Sequence, residues 1–267
     1  MLRISSPDNE HVRRVTALQR SPRRRLSDGL MVVEGLRLTR ELTASTLPIA
    51  EAFCTVEFAE SHSGQQVLAE LEKRGPCYLV PADLLERMSD TESPQGILVV
   101  LSIPSLAVPE ALPFCLVLDG LREPGNVGAV LRTAWAVGVP LVLLAPGTAD
   151  ATNPKAVRAA MGAHFHVPIW RAPWDKIGDL LGSRVIWLAE AAGAIPYYRV
   201  DWTGNTALII GGEASGAASE ARALARGRLV TIPMVPGVDS LNVGAAAAVL
   251  LCEVARQQTL PACAAAR

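Results

Sequence analysis

From residue 114 onward, short apolar runs alternate with stretches in which apolar residues recur at helical spacing. The runs 114–118, 141–145, 185–189, 207–211 and 229–232 predict strands, and 126–137, 154–162, 174–181 and 240–257 predict helices. Strand and helix in alternation imply a parallel sheet covered on both faces. Ligands in such sheets sit beyond the carboxyl ends of the strands, so a site is expected in the loops after Leu118, Gly211 and Ile232. Upstream, strands are predicted at 30–33, 78–80 and 96–102, with helices around Leu36, Leu38 and Leu42 and over 67–73 and 82–88. That alternation suggests a smaller α/β domain. Between the two parts, Pro104, Pro109 and Pro113 rule out a helix or central strand. The expected organisation is therefore a small α/β domain over 1–103, a linker over 104–113 and a parallel-sheet α/β domain over 114–267.

Composition sharpens this picture. The chain is 50% hydrophobic and 19% charged with a net charge of -1, so any grip on nucleic acid must come from a local patch. The early residues supply one: Arg3, Arg13, Arg14, Arg20, Arg23, Arg24, Arg25, Arg37 and Arg40 face only Asp8, Glu10, Asp28 and Glu34. Arginine suits phosphate because its planar fork donates to two oxygens at once. The plainer alternative is a solvated helix face and a frayed terminus. The 5 cysteines form no CxxC pair, which argues against a disulfide framework or a cysteine-rich zinc site and fits a reducing cytoplasm. No apolar leader follows Met1, and no uncharged stretch has the length and composition of a membrane span. His164 and His166 would share one face of a strand, but no third ligand is near in sequence, and a strand leading to Pro168 accounts for them; no metal is expected.

Three loops carry candidate chemistry. In the first, strand 114–118 leads through Asp119 into Glu123-Pro124-Gly125-Asn126, where Asn126 is a helix-cap candidate and Arg132 lies farther along the helix. Apolar neighbours there call for an ionic partner to Arg132. In the second, a buried strand empties into Gly211-Gly212-Glu213-Ala214-Ser215-Gly216, where glycine lets a ligand approach the backbone. In the third, Ile232-Pro233-Met234-Val235-Pro236-Gly237 forms a stiff wall before Asp239 or Ser240, either of which could cap the next helix. The spacing is neither a Walker loop nor a dinucleotide fingerprint.

In this order, the three segments closely resemble the motifs of the SpoU, or TrmH, family of RNA 2′-O-ribose methyltransferases. Glu123-Pro124-Gly125-Asn126 with Arg132-Thr133-Ala134, and Ile232-Pro233-Met234 with Ser240-Leu241-Asn242-Val243, carry the resemblance most specifically. Asn153-Pro154-Lys155 through Arg158 to Met161-Gly162-Ala163 looks like the family's middle segment. Val33-Glu34-Gly35 and Ser93-Pro94-Gln95-Gly96 resemble its substrate-binding domain. The sequence departs from the family pattern at Ala214, Asp239 and Gly244.

The resemblance implies an enzyme with a C-terminal trefoil knot that works as a homodimer and uses S-adenosylmethionine. Gly211, Ile232 and Leu241 would form the cofactor pocket, and Arg132, Asn126, Glu213, Ser240 and Asn242 the catalytic group. Arg23, Arg24 and Arg25 would contact RNA phosphates. The implied reaction is methylation of a ribose 2′-hydroxyl, with 23S ribosomal RNA preferred over transfer RNA. A transfer-RNA methyltransferase and a catalytically inactive RNA-binding relative are the alternatives.

Overall fold

The computed structural model describes residues 1–191, 195–212 and 216–258. The chain forms two compact units. Unit 1 holds Met1–Pro104 together with Asp150–Phe165, and unit 2 holds Ser105–Ala149 and the described residues from His166 onward. The first boundary, between Pro104 and Ser105, falls in the proline-rich stretch, which has neither helix nor strand.

Unit 1 begins β1 (Leu2–Arg3), α1 (Glu10–Arg20), α2 (Pro22–Asp28), β2 (Leu30–Glu34), α3 (Leu36–Ala44), β3 (Ile49–Cys54), α4 (Val56–Glu60), α5 (His62–Leu71), β4 (Cys77–Leu79), α6 (Ala82–Met88) and β5 (Ile97–Ser102). Local capping explains the opening helices. The Asn9 side chain accepts from the His11 N–H to start α1. Ser21 ends α1 and caps α2, where Pro22 takes the first-turn position that needs no N–H donor. The sheet order is β1-β4-β3-β5-β2, with β5 antiparallel to both neighbours. Alternate residues serve opposite faces. Met31, Val33, Ile97, Val99 and Leu101 pack into one core, whereas Val32, Leu98 and Val100 pack into another.

Unit 2 contains β6 (Phe114–Asp119), α7 (Pro124–Ala136) and β7 (Val142–Leu144); α8 (Pro154–Ala160), next in the chain, belongs to unit 1. Unit 2 then continues with β8 (Ile169–Arg171), α9 (Trp174–Leu181), β9 (Val185–Ala189), β10 (Ile195–Pro196), β11 (Thr206–Gly211), α10 (Ser219–Ala225), β12 (Leu229–Thr231) and α11 (Val243–Gln258). The seven strands run in the order β10-β12-β9-β11-β6-β7-β8, and every pairing is parallel. The inner strands β6 and β11 are almost wholly buried, as expected for a parallel sheet covered on both faces.

The excursion Asp150–Phe165 departs from the expected uninterrupted domain 114–267. Its Val157 and Phe165 are buried in the core that also contains Leu38, Leu42 and Phe58. Arg158 pairs with Asp90 at 2.9 Å. Arg25 reaches Asp150 at 2.7 Å and donates to the carbonyls of Leu18 and Gln19. This side chain is only 1% exposed, so the Arg25 charge is satisfied inside unit 1 and is not available to an RNA phosphate. Arg24 pairs with Asp28 at 2.9 Å, while Arg23 is exposed.

The histidine segment also differs from its expected form. Residues Ala163–Phe165 make a 3-10 turn, so His164 and His166 do not alternate along a strand. His164 is buried against the Ala151 carbonyl, and His166 stacks on Trp135 with ring centroids 4.4 Å apart. Among the described residues, no helix is long and apolar enough to cross a membrane.

Candidate active site

The carboxyl ends of β9, β11 and β12 open onto a cavity of about 230 Å³. Ala189, Glu190 and Ala191 close it after β9, Ile210, Gly211 and Gly212 after β11, and Val230 and Ile232 along and beyond β12. Gly216 and Ala217 contribute from the chain returning toward α10. The remaining wall comes from Met234, Ser240 and Leu241 and from Val243, Ala246 and Leu250 of α11. The lining is mostly aliphatic side chain and bare backbone. The carboxylate in it belongs to Glu190, which pairs with Arg222 at 2.6 Å. Apolar walls with peptide donors and acceptors suit a flat heterocycle.

Two close approaches set the shape of this cavity. A methyl group on Gly212 would collide with the Gly120 carbonyl oxygen, so the β11 loop can lie against the β6 loop only because position 212 has no side chain. Beneath it, the Asp119 carboxylate accepts from the Ala218 N–H at 2.7 Å, tying the start of α10 to the end of β6. Burial raises the Asp119 pKa, and the Ala218 hydrogen bond partly opposes that shift. The Thr148 hydroxyl accepts from Gly120 N–H at 3.0 Å and donates to the Leu118 carbonyl at 2.8 Å.

The first and third motifs meet at the start of two helices. The Asn242 amide donates to Asn126 Oδ1 at 3.1 Å, and its own Oδ1 accepts from the Gly244 N–H at 2.9 Å. Asn242 therefore caps α11, a role the sequence assigned to Asp239 or Ser240. At α7 the cap is Glu123, whose carboxylate accepts from the Gly125 N–H. Asn126 thus lies within the first turn, where its side chain can reach Asn242. Gly244 lets α11 come close to α7: a Cβ there would sit 3.2 Å from Ala129 Cβ.

The expected site residues are distributed as follows. Gly211, Ile232, Leu241 and Ser240 line the cavity, and Asn126 and Asn242 are joined beside it through α11. Arg132 lies on the exposed side of α7, outside the lining, and its guanidinium makes no hydrogen bond or ion pair with another described residue. The buried partner expected for it is unnecessary, because the side chain is in solvent. Glu213 lies outside the described residues. Sequence reasoning placed Gly216 in the second motif but missed Glu190, Ala217 and the Asp119 brace. The one available signal was an acid at the end of an otherwise apolar strand.

Comparison with known proteins agrees with this geometry. Residues 113–252 match the SpoU rRNA Methylase family, and residues 9–99 match the MRM3-like substrate binding domain. The chain is 32% identical to the Bacillus subtilis 23S rRNA (guanosine(2553)-2′-O)-methyltransferase RlmP, over 94% of this chain and 98% of that one. It is 31% identical to the mitochondrial rRNA methyltransferase 3 of Mus musculus, over 94% of this chain and 73% of the relative. The crystal structure of the SpoU methyltransferase AviRb from Streptomyces viridochromogenes, in complex with AdoMet, is similar with a TM-score of 0.85 at 26% identity, covering 93% of this chain and 98% of its own. Motifs that converge on one cavity, and a family match that spans the whole parallel sheet, place this chain in the SpoU rRNA methylase family.

Proposed function

We propose that the protein transfers a methyl group from S-adenosylmethionine to a ribose 2′-hydroxyl of ribosomal RNA, with 23S RNA as the substrate. The observation that carries this reading is the cavity beyond β9, β11 and β12, built from the second and third motifs and bordered by the Asn126–Asn242 pair. Its residues fit the cofactor: Gly211, Gly212 and Ala217 offer backbone groups, and Ile232, Leu241 and Leu250 offer apolar walls. When bound, S-adenosylmethionine supplies an electrophilic methyl group on sulfur. The protein must align the ribose oxygen with it, and alignment supplies much of the rate.

As the ribose oxygen bonds to the methyl carbon, the carbon–sulfur bond would break, and the hydroxyl proton would pass to solvent or a neighbouring RNA phosphate. Arg132 is a poor base, since a guanidinium stays protonated up to a pKa above about 12. Its role in this reading is to donate hydrogen bonds to the developing alkoxide. Asn126, Ser240, Asn242 and Glu213 complete the catalytic group. Residues 1–103 bring the RNA, with exposed Arg23 among the phosphate contacts, and 114–267 carry the chemistry across the 104–113 linker. Family membership further supports a C-terminal trefoil knot, a homodimer and a cytoplasmic location.

Calorimetric titration with S-adenosylmethionine, followed by methyl-labelled transfer to 23S RNA, tests the proposal. The expected result is one micromolar site per protomer and label at a linkage that alkali no longer cleaves, because the 2′-oxygen is blocked. Absence of binding, or label on a base with alkali-sensitive linkages, overturns it.

A further inference from the structure

The early arginines divide into two populations. Arg14 reaches the buried Glu51 at 2.7 Å, Arg24 reaches Asp28 at 2.9 Å, and Arg25 reaches Asp150 at 2.7 Å. Those charges are answered within unit 1. Arg13 and Arg20 share α1 with Arg14 but are exposed. Seven residues apart, they lie on the same helix face, about 10 Å from each other along the axis. The neighbouring α6 packs on α1 and adds the exposed Arg87. All three arginines line one open groove of about 490 Å³, floored in part by Val12 and Leu84. No Asp or Glu lines it, and none of the three guanidinium groups has a hydrogen bond or ion pair with another described residue.

Three like charges around an apolar floor repel one another, and no carboxylate among the described residues pairs with them directly. A bound anion compensates them. The groove is open, with Arg13 and Arg20 about 10 Å apart along α1, so it fits an extended polyanion better than a small ion held from all sides. Forked donors spaced along a helix suit successive phosphates of a strand.

We infer that the groove between α1 and α6, through Arg13, Arg20 and Arg87, binds the phosphodiester backbone of RNA. This inference rests on the RNA-methylating function proposed above and adds where the RNA is held. The contact is indifferent to sequence, because phosphate contacts position a nucleic acid without reading it.

The test uses the full chain carrying Arg13→Gln, Arg20→Gln and Arg87→Gln, together and singly. Each protein is titrated at several salt concentrations with a fluorescent transcript of the 23S RNA segment around guanosine 2553, and with an unrelated transcript of equal length. The triple variant is expected to bind both RNAs roughly tenfold or more weakly, with the log–log salt slope reduced by about 2 to 3. Its melting temperature should equal or exceed the wild-type value. Lys73→Gln, whose ammonium rests on Glu70 at 2.7 Å, should leave both RNA parameters unchanged. Wild-type affinity and slope in the triple variant overturn the inference, as does a loss confined to the 23S transcript. S-adenosylmethionine titration of the same proteins separates the two questions: failure of the wild type to bind it counts against the methyltransferase reading and leaves the RNA comparison readable.

Discussion

The cavity of unit 2 and the groove of unit 1 recognise their ligands by opposite means. The cavity is built from strand ends, bare backbone and aliphatic walls, and the one carboxylate among its described lining residues is already paired to Arg222. Its selectivity lies in shape. The groove presents three long cations, without partners among the described residues, above an apolar floor. Its selectivity lies in charge, and its side chains are free to adapt. A shape-based site is brittle, because one misplaced methyl group closes it. A charge-based site is graded, because each arginine contributes a fraction and salt weakens all of them together.

That contrast can be broken or sharpened experimentally. The largest effect is expected from Arg132→Ala, which should lower methyl transfer by roughly 100- to 1,000-fold while leaving cofactor affinity intact, in line with the loss of one oxyanion donor. Single-turnover rates beside calorimetry check it, and Arg132→Lys should recover part of the loss.

Next is Arg25→Ala, which removes the buried partner of Asp150 and should cost about 3 kcal/mol of stability in thermal or urea unfolding. The same pair predicts a pH dependence. Burial pushes the Asp150 carboxyl up, but hydrogen bonds from Thr152 and Arg25 outweigh it and hold the pKa below the ordinary aspartate value. Its contribution to stability is thus complete above about pH 4 and is lost as pH falls through the lowered folded value. Asp150→Asn should remove that portion of the acid slope, which unfolding curves at stepped pH would reveal.

A smaller effect is expected from Gly212→Ala. The methyl group must push the β11 loop off the Gly120 carbonyl, and S-adenosylmethionine affinity should fall about tenfold, worth about 1.4 kcal/mol. The same Gly→Ala change at Gly178 on α9, where the new carbon makes only an ordinary 3.6 Å contact with Leu224, should leave affinity unchanged. The smallest is Asn242→Ala, which removes both the α11 cap and the link to Asn126 and should cost about 1 kcal/mol of stability.

How much of this was legible in the sequence depended on the range of the interactions involved. The parallel sheet was readable because β6 and β11 are continuous apolar runs whose burial on both faces leaves no competing pattern. The edge strands β8 and β10 were missed, being three and two residues long. Helix α10 was also missed; at seven residues it gives the periodicity barely two turns. Helix starts shifted by a few residues because Glu123 took the capping role given to Asn126, and Asn242 the one given to Asp239 or Ser240. The fates of Arg14 and Arg25 were hidden, since their partners Glu51 and Asp150 lie 37 and 125 positions away. Composition located the basic region, but only the fold distinguishes arginines that hold unit 1 together from those that face outward.

The return of residues Asp150–Phe165 into unit 1 also constrains how the chain is made. A ribosome releasing the polypeptide from its amino end delivers Arg25 and the Leu38–Leu42 region long before Asp150, Val157 and Phe165. Until residue 165 has emerged, the first unit carries an unmatched guanidinium and an open hydrophobic face. By then all of β6, α7 and β7 has been synthesised. Maturation of the two halves is interleaved in time, and in the interval between these segments the nascent protein exposes apolar surface of the kind that makes incomplete chains prone to aggregate.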